Sequence, residues 1–378
     1  MRRFFPASIF LLAFLCRPLH AAPPEIPPPE IPAPAWVLMD HHSRQVLAER
    51  NGDQALAPAS LTKLMTAYVL LEKLKAGKWR LDDAVAVSPQ AVRARGARLF
   101  LRPGTTARAE ELLRGMIVVS ANDATIALAE HISKNEAGFV MEMNRAARAL
   151  GLSKTSFVNA TGNDEAGQVS SARDLARLSS ALIRDFPEQY GWFAQKEFTH
   201  RDITQHNHNA LLWRDPQVDG VKTGHTRGGG YCLSASASRD GMRLIATVLG
   251  ARDDAARVSA GQKLLDHGFR HFETRLLYAA DVPALQVRLW MGDRSTLPLG
   301  VRQNLFLTLP RGWHEKLHAR LVVPREPAAP VQQGQVMGTL ALDLDRQPYA
   351  EYPLVALQEA GTGNILRRTI DRIQLWLQ

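Results

Sequence analysis

The order of its hydrophobic segments constrains the fold of this chain most strongly. Strand-like stretches lie at the two ends of the first 272 residues, within residues 36–49 and 218–250. Helix-like stretches, with apolar residues at helical spacing, fill most of the interval between them. Strands from the two ends can pair in one antiparallel sheet while the helices pack against it. The order therefore predicts an α+β fold for this region.

The chain changes character after residue 273. Residues 274–358 hold short β-like segments separated by proline and glycine, which is typical of a small β domain. We therefore expect a first domain at residues 36–273 and a small all-β domain at residues 274–358. Residues 359–378 are expected to form an amphipathic helix, because the last fifteen residues carry apolar side chains on one face and arginines on the other. Such a helix is too short and too charged to span a bilayer but suits its interface.

The N-terminus has the features of an export signal. Residues 1–22 combine early arginines with a short apolar run and end in small residues. Residues 23–35 are rich in proline and predict an extended spacer. Removal of the signal would leave Cys232 as the single cysteine, in a strand-like run where we expect it to be buried. The net charge would fall from +9 to about +6, which suits an anionic membrane or cell-wall surface.

Three short motifs could together form a reactive site at a helix start, a helix break and a strand. They are Ser60-Leu61-Thr62-Lys63, Ser120-Ala121-Asn122 and Lys222-Thr223-Gly224, the last followed by His225. Taken singly, each is common and is explained well by a helix cap, a turn or a strand end. Their order and separation, together with an export signal, are much less easily explained by chance.

The chemistry of the first motif depends on a proton transfer. A serine hydroxyl is a weak nucleophile until a base removes its proton. Lys63 lies one helical turn from Ser60 on the same face, but it can be that base only when its amine is neutral. Burial and a second cation, Lys222, would both lower the pKa of Lys63 from its ordinary value of about 10.4. We therefore hypothesise that two lysines facing Ser60 activate it as a nucleophile.

The motifs and their surroundings resemble the low-molecular-mass penicillin-binding proteins, the serine-type D-alanyl-D-alanine carboxypeptidase family. The similarity covers most of residues 34–273, and its stretches include APASLTKLMTAYV, VVSANDATIALAEH, SSARDLARL, HNALLW and VDGVKTGHT. It implies a penicillin-binding/β-lactamase-like domain, an antiparallel sheet with helices, followed by a small all-β domain. The amphipathic C-terminus resembles the membrane anchor of the family.

The resemblance also implies the catalytic roles. Ser60 would be the nucleophile and Lys63 its base, with Lys222 beside them. Ser120 would relay a proton to the leaving amine, and Asn122 would hold both Lys63 and the substrate amide.

The substrate-binding residues implied are Lys222, Thr223, Gly224 and His225. Lys222 and Thr223 would bind the terminal carboxylate of the substrate, and Gly224 would let the substrate lie along the strand edge. The backbone N–H groups of Ser60 and His225 would form the oxyanion hole if the strand runs beside the helix start. The His225 side chain would influence deacylation.

The function implied is removal of the terminal D-alanine from peptidoglycan pentapeptide stems through an acyl-enzyme on Ser60. β-Lactam antibiotics would acylate the same serine as covalent inhibitors. Neither a cofactor nor a metal is expected. The protein would lie on the periplasmic side of the bacterial cytoplasmic membrane, held peripherally to the membrane surface through residues 364–378. We expect no nucleic-acid partner, because the exported chain has no dense basic-aromatic stripe.

Two alternatives stay open. A class A-type β-lactamase shares these motifs but carries a glutamate in an E-x-x-L-N loop, and no such run lies between Ser120 and Lys222. Glu165 lies in this region, in a stretch more like the carboxypeptidase loop, although the histidine-bearing stretch usual in the family is missing here. A non-catalytic peptidoglycan-binding relative would keep the fold, but the intact serine and lysines argue against it.

Other polar residues have simpler interpretations. The HNHN stretch at residues 206–209 contains a metal-binding spacing but lacks a third ligand in register, so hydrogen bonding is favoured. His41 and His42 lie in a predicted turn and are expected to be solvated. Asp174 is expected to cap a helix and brace a loop.

Overall fold

A computed structural model describes residues 23–377, so the export signal expected at residues 1–22 lies outside the described residues. The chain divides into a larger unit, Ile26–Leu277 with Phe306–Arg311, and a smaller unit, which comprises Tyr278–Leu305 and the residues from Gly312 onward.

The two units together contain sixteen described strands. In chain order they are β1 (Ala35–Asp40), β2 (Val46–Arg50), β3 (Ala84–Ala86), β4 (Thr106–Arg108), β5 (Glu197–His200), β6 (Ile203–His206), β7 (Val218–Thr226), β8 (Gly230–Arg239), β9 (Met242–Ala251), β10 (Phe272–Tyr278), β11 (Leu285–Arg288), β12 (Thr296–Gly300), β13 (Leu305–Pro310), β14 (Leu317–Val322), β15 (Val336–Leu344) and β16 (Gln347–Ala356).

The α-helices lie mostly between β2 and β7. In chain order they are α1 (Lys63–Lys75), α2 (Pro89–Arg93), α3 (Ala109–Val118), α4 (Asn122–Ser133), α5 (Glu136–Ala149), α6 (Ala172–Asp185), α7 (Pro187–Tyr190), α8 (Leu211–Arg214), α9 (Asp254–His271) and α10 (Ile365–Trp376). Short 3₁₀ turns occupy Ala59–Thr62, Gly191–Ala194 and Trp313–Lys316.

The central sheet of the larger unit joins the two ends of that unit. Its strand order is β2-β1-β9-β8-β7, and every neighbouring pair is antiparallel. β1 therefore pairs with β9 across about two hundred residues of intervening chain, most of it helical. The α+β fold expected from the segment order is confirmed.

Both faces of this sheet are covered by helices. Along β1, Val37 and Met39 face a core formed with α1, α3, α4, α5 and α6. Trp36 and Leu38 point to the opposite face, into a second core formed with α9. This alternation follows from the two-residue repeat of a strand, and burial on both sides explains why β1 is apolar almost throughout. Cys232 of β8 is buried with a free thiol, as expected.

One strand is placed differently from the sequence-based expectation. The sequence predicts that residues 304–310 belong to the small β domain, but β13 pairs with β10, and residues 306–311 belong to the larger unit. The buried Thr308 hydroxyl explains this placement, since it bonds to Ser43 Oγ at 2.6 Å and to Thr274 Oγ1 at 2.8 Å. A domain boundary at residue 273 remains a prediction. A single boundary there does not explain why residues 306–311, much later in the chain, belong to the larger unit.

The proline-rich segment at residues 23–35 is not a free spacer along its whole length. It lacks helix and strand up to β1, as expected, but Ile31 and Ala33 are buried against Trp36 and its neighbours in the second core. The apolar residues between the prolines pack into the core, and the prolines favour an extended backbone because they fix φ.

The solvated turn expected at His41 and His42 is wrong. His41 Nδ1 lies 2.8 Å from Ser180 Oγ, and burial lowers the pKa of the His41 imidazole to about 3. The His42 ring stacks on Phe306, with ring centroids 4.6 Å apart. The turn packs on α6 and on residues 306–311, which the local sequence could not indicate.

The smaller unit is built on one antiparallel sheet with the strand order β11-β12-β16-β15-β14. Its apolar core includes Val287, Leu289, Leu297 and Leu299. The all-β character expected for this region is therefore confirmed. The sequence patterns did not indicate β12 or β16, because both contain proline, a residue that argues against a strand in the interior of a sheet.

The C-terminal helix α10 leaves its apolar face uncovered within the smaller unit. Ile373 and Trp376 are 54% and 85% exposed, and Ile365, Leu366 and Ile370 are exposed as well. Asp371, on the other face, is buried and accepts a hydrogen bond from Met291 N at 2.6 Å. Among the described helices, none is both long enough and apolar enough to cross a bilayer.

Candidate active site

Ser60 lies in the 3₁₀ turn that leads into α1. The preceding residue, Ala59, has φ +49°, a left-handed conformation that is unusual for a residue other than glycine. Ser60 makes no capping hydrogen bond for α1. Its Oγ instead accepts a hydrogen bond from Lys63 Nζ at 3.1 Å. The simple explanation of Ser60 as a helix cap is therefore wrong.

Lys63 is a buried lysine with neutral partners. Its side chain is 1% exposed, and Nζ donates to Thr161 O at 2.6 Å as well as to Ser60 Oγ. Burial, and after it the charge of Lys222, lower the pKa of Lys63 well below its ordinary value. The direction and both causes agree with the hypothesis drawn from the sequence. A neutral amine on Lys63 can accept the proton of the Ser60 hydroxyl.

Lys222 lies on β7 and is also buried. Its Nζ donates to Thr223 O at 3.0 Å. Burial, together with the nearby Arg257 guanidinium, lowers the pKa of Lys222 to about 7. Burial therefore disfavours the charged form of both lysines, and the charge of Lys222 disfavours that of Lys63 further.

Ser120 occupies the break between α3 and α4. Its φ is +65°, a strained value for serine that is common at functional sites. The Ser120 Oγ is buried and has no hydrogen-bond partner within residues 23–377. This hydroxyl can therefore bond to a group that enters the site.

Asn122 begins α4 and faces the same region. Its Nδ2 donates to Arg95 O, and its backbone N–H donates to Ala97 O at 2.7 Å. Its buried Oδ1 has no partner in the described part of the chain, where no hydrogen bond joins Asn122 to Lys63 either. Asn122 thus fixes the loop at residues 95–97 and keeps one acceptor oxygen available. The expected interaction of Asn122 with Lys63 stays a prediction.

Gly224 brings the edge strand β7 against the turn that carries Ser60. A Cβ on Gly224 would lie 2.7 Å from Ser60 N and 3.0 Å from Ala59 Cβ. The condition for an oxyanion hole, a strand running beside the helix start, is therefore met. β7 is the last strand of its sheet, so a substrate backbone can add along its free edge.

These residues surround a cleft of about 250 Å³. Six sequence-predicted residues line it: Ser60, Ser120, Asn122, Thr223, Gly224 and His225. Lys63 and Lys222 do not line the cleft but lie buried behind it. The structure thus brings all three motifs together. Among the described residues that line the cleft, none is acidic.

Two side chains that line this cleft, Arg257 and His208, were not predicted from the sequence as site residues. Arg257 of α9 donates from Nη1 to Gly224 O at 3.0 Å and places its guanidinium over the Tyr231 ring. His208 lines the cleft, and its burial, followed by the charges of Lys222 and Arg257, lowers the pKa of its imidazole. Arg257 lies in an ordinary amphipathic helix and gave no signal. For the HNHN stretch, which contains His208, the sequence favours a hydrogen-bonding role over metal binding and does not indicate a place in the cleft.

The loop at residues 95–101 also borders the cleft, through Gly96 and Ala97. The buried Asp123 carboxylate holds this loop, since it accepts from Leu99 N at 2.9 Å and from Leu101 N at 3.1 Å. Asp123 directly follows the second motif, and no local pattern indicates a role for it.

The remaining polar candidates lie outside the cleft. Glu165 is exposed and accepts a hydrogen bond from Asn159 Nδ2 at 3.0 Å. In the HNHN stretch, Asn207 and Asn209 donate to backbone carbonyls, as expected for a hydrogen-bonding role. Within residues 23–377, no group of three or more potential metal ligands is assembled.

Asp174 has one of its two expected roles. Its carboxylate accepts from Lys154 N and Thr155 Oγ1 and so braces that loop. The N-terminus of α6 is capped by Ser171 instead, whose Oγ accepts from Asp174 N at 3.1 Å.

Comparison with known families places this site and fold in a defined class. Residues 22–253 match the model of D-alanyl-D-alanine carboxypeptidases. Residues 272–362 match the model of the C-terminal domain of penicillin-binding protein 5. The chain belongs to the D-alanyl-D-alanine carboxypeptidase family, in agreement with the resemblance seen in its motifs.

Individual relatives support this membership over nearly the whole length. The chain is 41% identical to the D-alanyl-D-alanine carboxypeptidase DacC of Escherichia coli (strain K12), over 99% of this chain and 96% of that protein. Penicillin-binding protein 5 from Haemophilus influenzae is similar in structure, with a TM-score of 0.84 and 40% identity, covering 89% of this chain and 99% of that one. Penicillin-binding protein D2 from Listeria monocytogenes, solved in an ampicillin-bound form, has a TM-score of 0.57 and 33% identity over 65% of this chain and 100% of its own.

Proposed function

We propose that this protein is a serine D-alanyl-D-alanine carboxypeptidase that releases the terminal D-alanine from peptidoglycan pentapeptide stems through an acyl-enzyme on Ser60. The observation that carries the proposal is the 3.1 Å contact between Lys63 Nζ and Ser60 Oγ, made by a buried lysine with a lowered pKa. Membership of the carboxypeptidase family supplies the substrate class.

The first step is acylation. Lys63 takes the proton of the Ser60 hydroxyl while Oγ attacks the carbonyl carbon of the penultimate D-alanine. The backbone N–H groups of Ser60 and His225 stabilise the resulting oxyanion, an interaction worth about 2.7–4 kcal/mol per donor. The peptide C–N bond then breaks, leaving an ester on Ser60. The leaving amine receives a proton through Ser120, whose buried hydroxyl has no other partner in the described residues.

Binding of the substrate uses the positive charge of the cleft. The terminal carboxylate of the stem binds at Thr223 and the Arg257 guanidinium, which line the cleft, and Lys222 adds positive charge from its buried position behind them. Binding of an anion favours the charged form of Lys222 and so raises its pKa from about 7. Asn122 Oδ1 accepts a hydrogen bond from an amide of the substrate, and the stem extends along the edge of β7.

Water then hydrolyses the ester and regenerates Ser60. β-Lactams acylate the same hydroxyl, as the ampicillin-bound relative suggests. The cleft lining, as far as the structure describes it, offers no carboxylate to activate water. We therefore expect the penicillin adduct to be long-lived, unlike the adduct of a class A-type β-lactamase.

The location of the protein is part of the proposal. We infer that residues 1–22 direct export, that the protein acts on the periplasmic side of the cytoplasmic membrane, and that α10 holds it peripherally to the membrane surface. The exposed apolar face of α10 supports the anchor. In the proposed division, residues 36–273 carry catalysis and residues 274–358 form the β domain.

The experiment that tests the proposal is release of D-alanine from a synthetic pentapeptide by the purified protein. Wild type should release one D-alanine per peptide, and Ser60→Ala should release none above background. A matched control, Ser43→Ala, alters a serine hydroxyl of the larger unit outside the cleft. Release by Ser60→Ala would contradict the mechanism.

A further inference from the structure

The loop at residues 159–162 contacts Lys63 and Ala59, the residue before Ser60. Thr161 O accepts the 2.6 Å hydrogen bond from Lys63 Nζ. On the next residue, Gly162, an added Cβ would lie only 1.9 Å from Ala59 O, beside the nucleophile. The position of the Thr161 carbonyl therefore bears directly on where the Lys63 amine lies.

Two side chains from different helices hold Ala160, the residue that precedes Thr161. Glu136, in the first turn of α5, accepts a hydrogen bond from Ala160 N at 2.9 Å through Oε1. Thr66 lies one turn after Lys63 in α1 and is fully buried. Its Oγ1 donates to Ala160 O at 2.7 Å. Both polar atoms of Ala160 are thus tied to side chains of the helical layer.

The other end of the loop is held by its own turn and by Gln168, whose Oε1 accepts from Asn159 N at 3.2 Å and whose Nε2 donates to Thr62 Oγ1 at 2.8 Å. Asn159 Oδ1 accepts from Gly162 N at 2.7 Å, and Asn159 Nδ2 donates to Glu165. These bonds of the Asn159 side chain fix the turn, but they do not fix its distance from α1. Gln168 joins Asn159 to the 3₁₀ turn before α1, whereas the bonds from Glu136 and Thr66 join Ala160, the residue directly before Thr161, to α5 and to α1.

We propose that Glu136 and Thr66 are positioning residues for the general base, which hold the Thr161 carbonyl on Lys63 and thereby keep Lys63 Nζ within reach of Ser60 Oγ. This inference rests on the proposed function, in which Lys63 deprotonates Ser60. Neither residue lines the cleft or touches Lys63 Nζ by a hydrogen bond in the described residues, so both act through Ala160 and Thr161.

The role of Glu136 is geometric rather than electrostatic. Burial raises the pKa of the Glu136 carboxyl, the hydrogen bond from Ala160 N opposes this rise, and the nearby Glu165 and Glu130 add to it. Both the ionised and the protonated carboxyl keep an oxygen that can accept the Ala160 N–H bond. A glutamine at this position keeps such an oxygen as well, whereas alanine removes it.

The experiment compares Glu136→Ala, Glu136→Gln and Thr66→Val with wild type in the full-length protein. A fluorescent penicillin gives the second-order rate constant of acylation between pH 5 and 10, and thermal unfolding is followed in parallel. The matched control is Glu142→Ala on the same helix, whose carboxylate bonds to Lys73 and Ser133 away from the cleft.

We expect Glu136→Ala and Thr66→Val to lower the acylation rate constant by at least about tenfold, and Glu136→Gln to restore it to within about threefold of wild type. The acid limb of the pH profile should also move to lower pH in Glu136→Ala and Thr66→Val, because a carbonyl acceptor stabilises the ammonium form of Lys63. Glu142→Ala should change neither the rate constant nor the limb.

The inference is overturned if Glu136→Ala and Thr66→Val are acylated like wild type, or if their rates fall with an unmoved acid limb. If Glu136→Ala does not fold, Thr66→Val decides by the same criteria. A failure of the proposed function looks different: in that case wild type itself would not be acylated, or Ser60→Ala would be acylated as well.

Discussion

The reactivity proposed for Ser60 depends on how Lys63 is solvated. Its two hydrogen-bond partners, Ser60 Oγ and Thr161 O, are neutral, and no ion pair joins Lys63 to a carboxylate in the described residues. A buried ammonium without a counter-ion is costly, so the amine loses its proton more readily than an exposed lysine. The same burial that makes Lys63 hard to charge therefore makes it a base.

Replacement of Lys63 by arginine tests this point directly. Lys63→Arg keeps the positive charge but cannot lose its proton near neutral pH. We expect the rate of acylation by a fluorescent penicillin to fall by about 10²–10⁴-fold. Lys78→Arg, at an exposed position, is the control and should react like wild type. Acylation of Lys63→Arg at the wild-type rate would show that another group is the base.

The neighbouring Lys222 should set part of the pH dependence. Its charge lowers the pKa of Lys63, so its removal in Lys222→Met should raise the pKa of Lys63. Lys63 is active in its neutral form, and the acid limb of the acylation profile should therefore move to higher pH. Lys78→Met serves as the control for loss of a lysine charge. An unmoved limb, or one moved to lower pH, would contradict the proposed coupling.

Gly224 is the residue whose lack of a side chain has the clearest physical reason. In Gly224→Ala the new methyl group would collide with Ser60 N and Ala59 Cβ. We expect a cost of about 1–3 kcal/mol in the free energy of unfolding and a large loss of penicillin acylation. Gly191→Ala is the matched control, since nothing lies within 4 Å of its added Cβ. A Gly224→Ala protein with wild-type stability and reactivity would refute the close approach of strand and turn.

At the scale of elements, the periodicity of apolar residues and the length of each element determined which helices and strands could be predicted from the sequence. The β1–β2 hairpin, the helices α1, α3, α4, α5, α6 and α9, and the strands β7 to β9 all follow from apolar periodicity or alternation. Elements of three to five residues, such as β3 and α2, are too short to show a recognisable spacing of apolar residues. β16 was missed for another reason, because Pro348 and Pro353 lie within it.

The membrane-anchor helix offers a prediction at this scale. In Ile373→Glu/Trp376→Glu, two exposed apolar side chains of α10 become acidic, and binding to anionic phosphatidylglycerol vesicles should weaken by more than about tenfold. Val322→Glu/Val336→Glu adds the same charge at two exposed valines of the smaller unit outside α10, and should bind like wild type. Equal sedimentation of the two double variants with vesicles would contradict the anchor.

At the scale of the whole molecule, the sequence identified the site better than its surroundings. Three motifs separated by about sixty and one hundred residues were expected to converge, and Ser60, Ser120 and Gly224 do line one cleft. Arg257 and His208 were missed because tertiary packing alone brings α9 and the loop before α8 to the cleft. The return of residues 306–311 to the larger unit likewise depends on buried hydroxyl contacts that no local pattern reveals.

The measurement that tests the central claim most directly is the mass of the intact protein after reaction with benzylpenicillin, followed by peptide mapping of the adduct. We predict a gain of one penicilloyl group per chain, located on Ser60, and no gain in Ser60→Ala. Ser43→Ala should be labelled like wild type. An adduct on another residue, or an unlabelled wild-type protein that still releases D-alanine from a pentapeptide, would contradict the account.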